Sequence, residues 1–239
     1  AMSPEAFAIM ATERTRLAYV LTGIDEIDVV SRMGLRGLSD VIRRRTAAEL
    51  GPPMPVDPAL DELAFFPLLY WPVDDRQATL APDTVRRLNR YLRNGGTIVF
   101  DSRDQQTTNS PVRVNALRRL AYGLNIPPLV PVPPNHVLTK AFYLMQNFPG
   151  RWSSGPVWVE ASESRSNDGV SRVIVGGHDW AGAWSVDDHG RNVFPVVPGG
   201  EKQREMAYRF GINLVMYVLT GNYKADQVHV PSILERLGQ

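Results

Sequence analysis

The 239-residue chain contains no cysteine. That absence excludes disulfides, thiolate nucleophiles and cysteine-based metal sites. It is compatible with the periplasm or the cytoplasm and decides neither. Also missing is an apolar run of the roughly 18 to 20 residues that a spanning helix needs. The longest apolar stretches, near Ala64–Trp71 and Ile212–Leu219, fit core elements, so this chain itself is not expected to span a membrane. No basic segment followed by a long apolar one opens the chain, so no signal peptide is read there. Ala1-Met2-Ser3 reads as a cloning remnant, and the natural protein is expected to begin further upstream. Charge of one sign is lacking too, with 26 basic and 25 acidic residues for a net +1. Such a balance gives no general attraction to phosphate backbones, and nucleic acid is not an expected partner. No P-loop or GxGxxG pattern occurs, so no cofactor is expected. The four histidines, His136, His178, His189 and His229, lie outside helical ligand spacing of one another, and no metal site is expected.

What is present is an ordinary globular composition, 44% hydrophobic and 21% charged. The length suits one large α/β domain over 1–239, with an excursion at about 124–170. Leu17–Leu21 reads as a buried strand that ends in Thr22-Gly23. Apolar residues at roughly helical spacing fill Asp25 to Thr46, although Gly34 and Gly37 weaken or split that helix. Leu50 to Pro58, with its prolines, reads as a loop. Leu63 to Val73 is apolar and aromatic, but Pro67 argues for a bulge or an edge. The clearest unit is Leu80 to Asp104. Pro82 and Asp83 suit a first helical turn, Val85, Leu88, Tyr91 and Leu92 keep one face, and Asn94-Gly95-Gly96 stops the helix. Thr97–Phe100 follows as a buried strand, completing a βαβ signature of a parallel sheet. Val114 to Tyr122 is a short helix, Pro127 to Asn135 a connection, and Val157–Glu160 and Val170–Val175 two strands joined by a turn at Ser162–Gly169. A last helix is expected from about Glu201 to Leu219, closed by Gly221.

Open α/β sheets bind ligands beyond the carboxyl ends of their strands. Three strand ends here carry unusual residues: Thr22–Asp25, Asp101-Ser102-Arg103-Asp104, and Gly176-Gly177-His178-Asp179-Trp180. In a parallel sheet all three share one rim. Ser102 with His178 as base and Asp179 or Asp101 as orienter would make a serine hydrolase, but the flanking glycines of a nucleophile turn are absent and Ser102 reads more readily as a loop or cap residue. A cation held by His178, Asp179 and Asp101 or Asp104 competes with a hydrogen-bonded loop histidine, the simpler reading. Trp180 and Trp184, if exposed, could stack on sugars or peptide side chains; if buried, they are core. Arg204 beside Glu201 and Glu205 fits a helix-surface ion pair. Gly199-Gly200-Glu201 is a weak anion site at a helix start.

Several stretches together resemble a bacterial domain-of-unknown-function family: Leu17–Gly23, Asp61–Val73, Leu80–Asp104, His136–Arg151, Val173–Trp184 and Glu201–Tyr223. The resemblance implies a three-layer fold with a mainly parallel sheet, similar to class I glutamine amidotransferases (flavodoxin-like) with an insertion. It also implies that the domain forms the C-terminal part of larger membrane proteins whose N-terminal region is of the aerotolerance-regulator (BatA) type. Other domains of that parent protein or envelope proteins are then the expected partners, with a small ligand at the rim. An active class I glutaminase places a cysteine after the strand that corresponds here to Thr97–Phe100. This chain has Asp101-Ser102 there, so thioester chemistry is excluded. The expectation is a non-catalytic interaction or ligand-sensing domain, with a hydrolase on Asp101, Ser102, His178 and Asp179, or a carbohydrate- or peptide-binding module, as alternatives. Asp25, Arg103, Asp104, His136, Arg151, Trp180, Trp184 and Arg204 are the ligand-binding candidates.

Overall fold

Short strands whose successive side chains point to opposite faces feed two separate cores. In β1 (Ala18–Val20) and the residue before it, Leu17 and Tyr19 join one cluster while Ala18 and Val20 join the other. β3 (Leu68–Pro72) splits Leu68 and Tyr70 from Leu69 and Trp71, and β4 (Thr97–Asp101) splits Val99 from Ile98 and Phe100. Strands buried on both faces are what a parallel sheet between two helical layers requires. The computed structural model describes residues 3–104, 111–161 and 170–237; the turn expected at 162–169 lies outside them.

The seven-stranded sheet has the order β2-β1-β3-β4-β7-β6-β5. β2 (Met54–Val56), β1, β3, β4 and β7 (Val173–Gly176) are parallel, and β6 (Trp158–Glu160) and β5 (Leu129–Pro131) add antiparallel pairings at one side. Helices α2 (Asp25–Arg45), α5 (Trp180–Trp184) and α6 (Gly200–Leu237) pack on one face. On the other lie α1 (Pro4–Glu13), α3 (Pro82–Arg93) and α4 (Pro111–Leu120). The molecule is thus a three-layer α/β fold, as expected.

Several local readings are corrected. β3 is central, between β1 and β4, because Pro67 falls just before it and withholds no ladder donor. The proline-rich stretches expected as loops contribute β2 and β5 at the two sheet edges, where Pro55 and Pro131 leave no neighbour without a donor. α2 is continuous through Gly34 and Gly37. A Cβ on Gly34 would lie 2.7 Å from Ala181 Cα and 2.8 Å from its carbonyl carbon, and one on Gly37 would meet the Trp184 carbonyl oxygen. These two glycines let α5 lie directly on α2. α6 runs on through Gly221, since one interior glycine costs only about 1 kcal/mol.

Candidate functional site

β4 and β7 are hydrogen-bonded neighbours, and their carboxyl ends bring Asp101 against Gly176. The chain leaving β7 turns sharply through Asp179, which adopts a left-handed backbone (φ 53°) and caps α5, its carboxylate accepting from Gly182 N–H at 3.3 Å. After β4, Arg103 is left-handed as well (φ 55°). Non-glycine residues in this region cost on the order of 1–3 kcal/mol each and concentrate at functional sites. Two of them on adjoining strand ends mark this rim.

Asp101 is the hub and is wholly buried (0% exposed). One carboxylate oxygen accepts from Tyr70 O–H at 2.7 Å and Trp180 N–H at 2.8 Å; the other accepts from Arg103 N–H and Asp179 N–H, both at 3.1 Å. Burial, with the Asp179 charge adding to it, pushes the Asp101 carboxyl up to about 6. Burial raises Asp179 too, with Arg103 and Arg151 pulling it back. Burial drives Tyr70 well above its ordinary value. His178, 1% exposed and stacked on Trp180 with ring centroids 5.1 Å apart, is pushed down to about 4 by burial and is therefore neutral near pH 7. Its Nδ1 is buried and has no hydrogen-bond partner among the described residues.

Ser102 directs its hydroxyl to Asp104 at 2.6 Å, with the Gly176 carbonyl at 3.2 Å. Among the described residues no hydrogen bond joins Ser102 to His178, so the serine–base pair of a hydrolase is not assembled. Arg151 reaches Asp179 at 3.5 Å and lies over the rings of Trp152 and Phe194 at 4.8 and 4.9 Å. The rim extends toward β1 through ion pairs that the sequence reading missed. Arg103 and Arg76 both bind Asp74, at 3.0 and 2.9 Å, and Arg76 also binds Glu26 at 2.8 Å. Nothing in the local pattern marks these partners, because the pairing depends on which strand ends become neighbours.

Other expected site residues lie apart from this hub or are differently used. Asp25 is exposed in the first turn of α2, and its side chain makes no hydrogen bond or ion pair among the described residues. His136 is buried, its Nδ1 accepting from Leu138 N–H at 3.1 Å while its ring meets Tyr217 edge-on. Trp180 and Trp184 are 0% and 1% exposed and donate to the Phe148 and Ala207 carbonyls, so neither offers the open ring face that stacking on a sugar or peptide needs. Arg204 is buried rather than a surface ion pair: besides Glu201 it donates to the Ala183 and Phe194 carbonyls at 2.7 and 2.6 Å. Among the described residues, no group of three or more His, Cys, Asp or Glu is placed to hold a metal ion, and no helix is long and apolar enough to cross a membrane.

Comparison with curated proteins finds no match for this chain. The model of the family described as Domain of unknown function (DUF4159) matches residues 16–219, most of the chain, and the protein belongs to that family.

Proposed function

We propose that this domain is a non-catalytic interaction or ligand-sensing module of a larger, membrane-anchored bacterial protein. The observation that carries the reading is the state of Asp101. It stands where the resemblance to amidotransferases would put a nucleophile, yet it is fully enclosed and both of its oxygens are engaged by internal donors. A group spent in this way ties β4 to β3 and α5. The adjacent Ser102 hydroxyl is likewise engaged. The amidotransferase-like fold and the anchored parent protein rest on the sequence resemblance. They predict that an antibody raised against this domain detects, in membrane fractions of the source cells, a band well above the 26.7 kDa of this chain. A band confined to the soluble fraction contradicts the anchored parent.

A hydrolase on the same rim is the second reading. It is favoured by Asp101 near 6, His178 near 4 and the two left-handed residues, since perturbed groups gather at active sites. Against it, a histidine with a pKa near 4 is a weak general base at neutral pH. A panel of ester, amide and glycoside substrates assayed with the wild type, Ser102→Ala and His178→Ala separates the two. The non-catalytic reading expects no turnover that either substitution abolishes. Turnover lost in both variants, with each still folded, establishes the hydrolase.

A further inference from the structure

Away from the strand ends, a cavity of 690 Å³ lies between the last turn of α2, the first turns of α6 and the 186–192 loop. Four arginines line it, Arg43, Arg44, Arg45 and Arg204, together with three acidic residues, Asp40, Glu201 and Glu205. Each carboxylate already has an arginine. Arg43 pairs with Asp40, Arg45 holds Glu205 through two bonds of 2.9 Å, and Arg204 pairs with Glu201 at 3.1 Å. The Arg44 side chain is left over, with no hydrogen bond or ion pair among the described residues. The negative end of α2 and the positive end of α6 border the same space, so their partial charges offset and the surplus guanidinium sets its sign. Tyr208 lies at the wall, its hydroxyl donating to the Trp184 carbonyl at 3.1 Å; burial raises its pKa, and Arg204, Arg44 and Arg45 pull it partly back. We infer that this cavity binds a small anion carrying a carboxylate or phosphate group, with Arg44 as the principal contact. A planar guanidinium with five donors suits bidentate capture of either group, and the volume falls within the range of small-molecule sites.

The site is distinct from the Asp101 hub, so its failure would leave the non-catalytic reading of that hub standing. The test is titration calorimetry on the whole domain, with citrate and pyrophosphate as separate probes and sodium chloride holding ionic strength constant. The two probes distinguish a carboxylate from a phosphate ligand. Saturable binding of at least one is expected. Arg44→Ala should weaken it about ten- to hundredfold, the worth of one charge-assisted contact, and Arg44→Glu should abolish it. Arg86→Ala, on the exposed face of α3, should change nothing. The inference is overturned if neither probe binds saturably, or if the Arg44 variants bind like the wild type. Arg44 is exposed, so its replacement leaves the fold intact, which circular dichroism checks.

Discussion

Replacing Gly34 by alanine sets two opposing effects against each other. In an exposed helix the change would stabilise by about 1 kcal/mol, through backbone entropy alone. Here the new methyl would sit 2.7 to 2.8 Å from the Ala181 backbone, with the Ala181 carbonyl oxygen nearer still. Backbone atoms cannot rotate aside, so α5 must move outward by roughly 1 Å to restore van der Waals contact. Overpacking of this kind costs about 1–3 kcal/mol. The move also draws Asp179 N–H and Trp180 N–H away from Asp101, where they now lie at 3.1 and 2.8 Å. Stretching two buried bonds to a carboxylate adds on the order of 1–2 kcal/mol. After subtraction of the helix gain, Gly34→Ala should destabilise by about 1–4 kcal/mol, centred near 2.5, a fall in melting temperature of roughly 5–10 °C at that centre for a domain of this size. Thermal unfolding followed by circular dichroism reads it directly. A variant that melts at or above the wild-type temperature refutes the close packing of α5 on α2.

Three further outcomes follow from buried charge. Asp101 has a folded-state pKa raised from 3.8 to about 6, so the native state binds the extra proton and stability falls as pH rises through that window. Asp101→Asn removes this dependence, and the wild type's advantage over it in urea unfolding should shrink by about 2.5 kcal/mol between pH 4 and pH 7; a difference independent of pH contradicts the burial. His178 works with the opposite sign, its folded pKa lowered from 6.5 to about 4, so stability is lost as pH falls through that window. His178→Gln should therefore lose about 3 kcal/mol less on acidification than the wild type, and superimposable profiles would falsify the neutral, enclosed histidine. Arg172→Ala strips the partner, at 3.0 Å, from the wholly buried Glu160 carboxylate and should cost about 3–5 kcal/mol in unfolding free energy; a cost below about 1 kcal/mol would mean that water reaches Glu160.

Periodicity carried the fold where elements were long or cleanly punctuated. α3 and its Asn94-Gly95-Gly96 stop were legible because Val85, Leu88, Tyr91 and Leu92 repeat on one face, and β4 followed as a short apolar run. β2 and β5 were not legible: each has three residues and contains a proline, a residue that weakens a strand pattern and that an edge position tolerates. Pro67 misled in the opposite sense, because sequence does not say that the strand begins one residue later. The meeting of Asp101 with Asp179 was foreseeable from the rule that parallel strands share a carboxyl rim. Tyr70 as Asp101's partner was not, because an aromatic inside an apolar strand gives no sign of where its hydroxyl points. Trp180 and Trp184 show the same limit, since a pair of tryptophans among small residues suits a core as well as a binding face. The Glu26–Arg76–Asp74–Arg103 chain depends on side chains whose sequence separation carries no signal.

The central claim is that the end of β4 is a closed structural hub and holds no reacting nucleophile. A fluorophosphonate, which forms a covalent adduct with an activated serine, tests it most directly when the protein is digested and the peptide containing Ser102 is weighed by mass spectrometry. With Ser102 bonded to Asp104 and unlinked to His178, the account predicts no adduct after prolonged exposure at neutral pH. A stoichiometric adduct on Ser102, absent from His178→Ala, would contradict it.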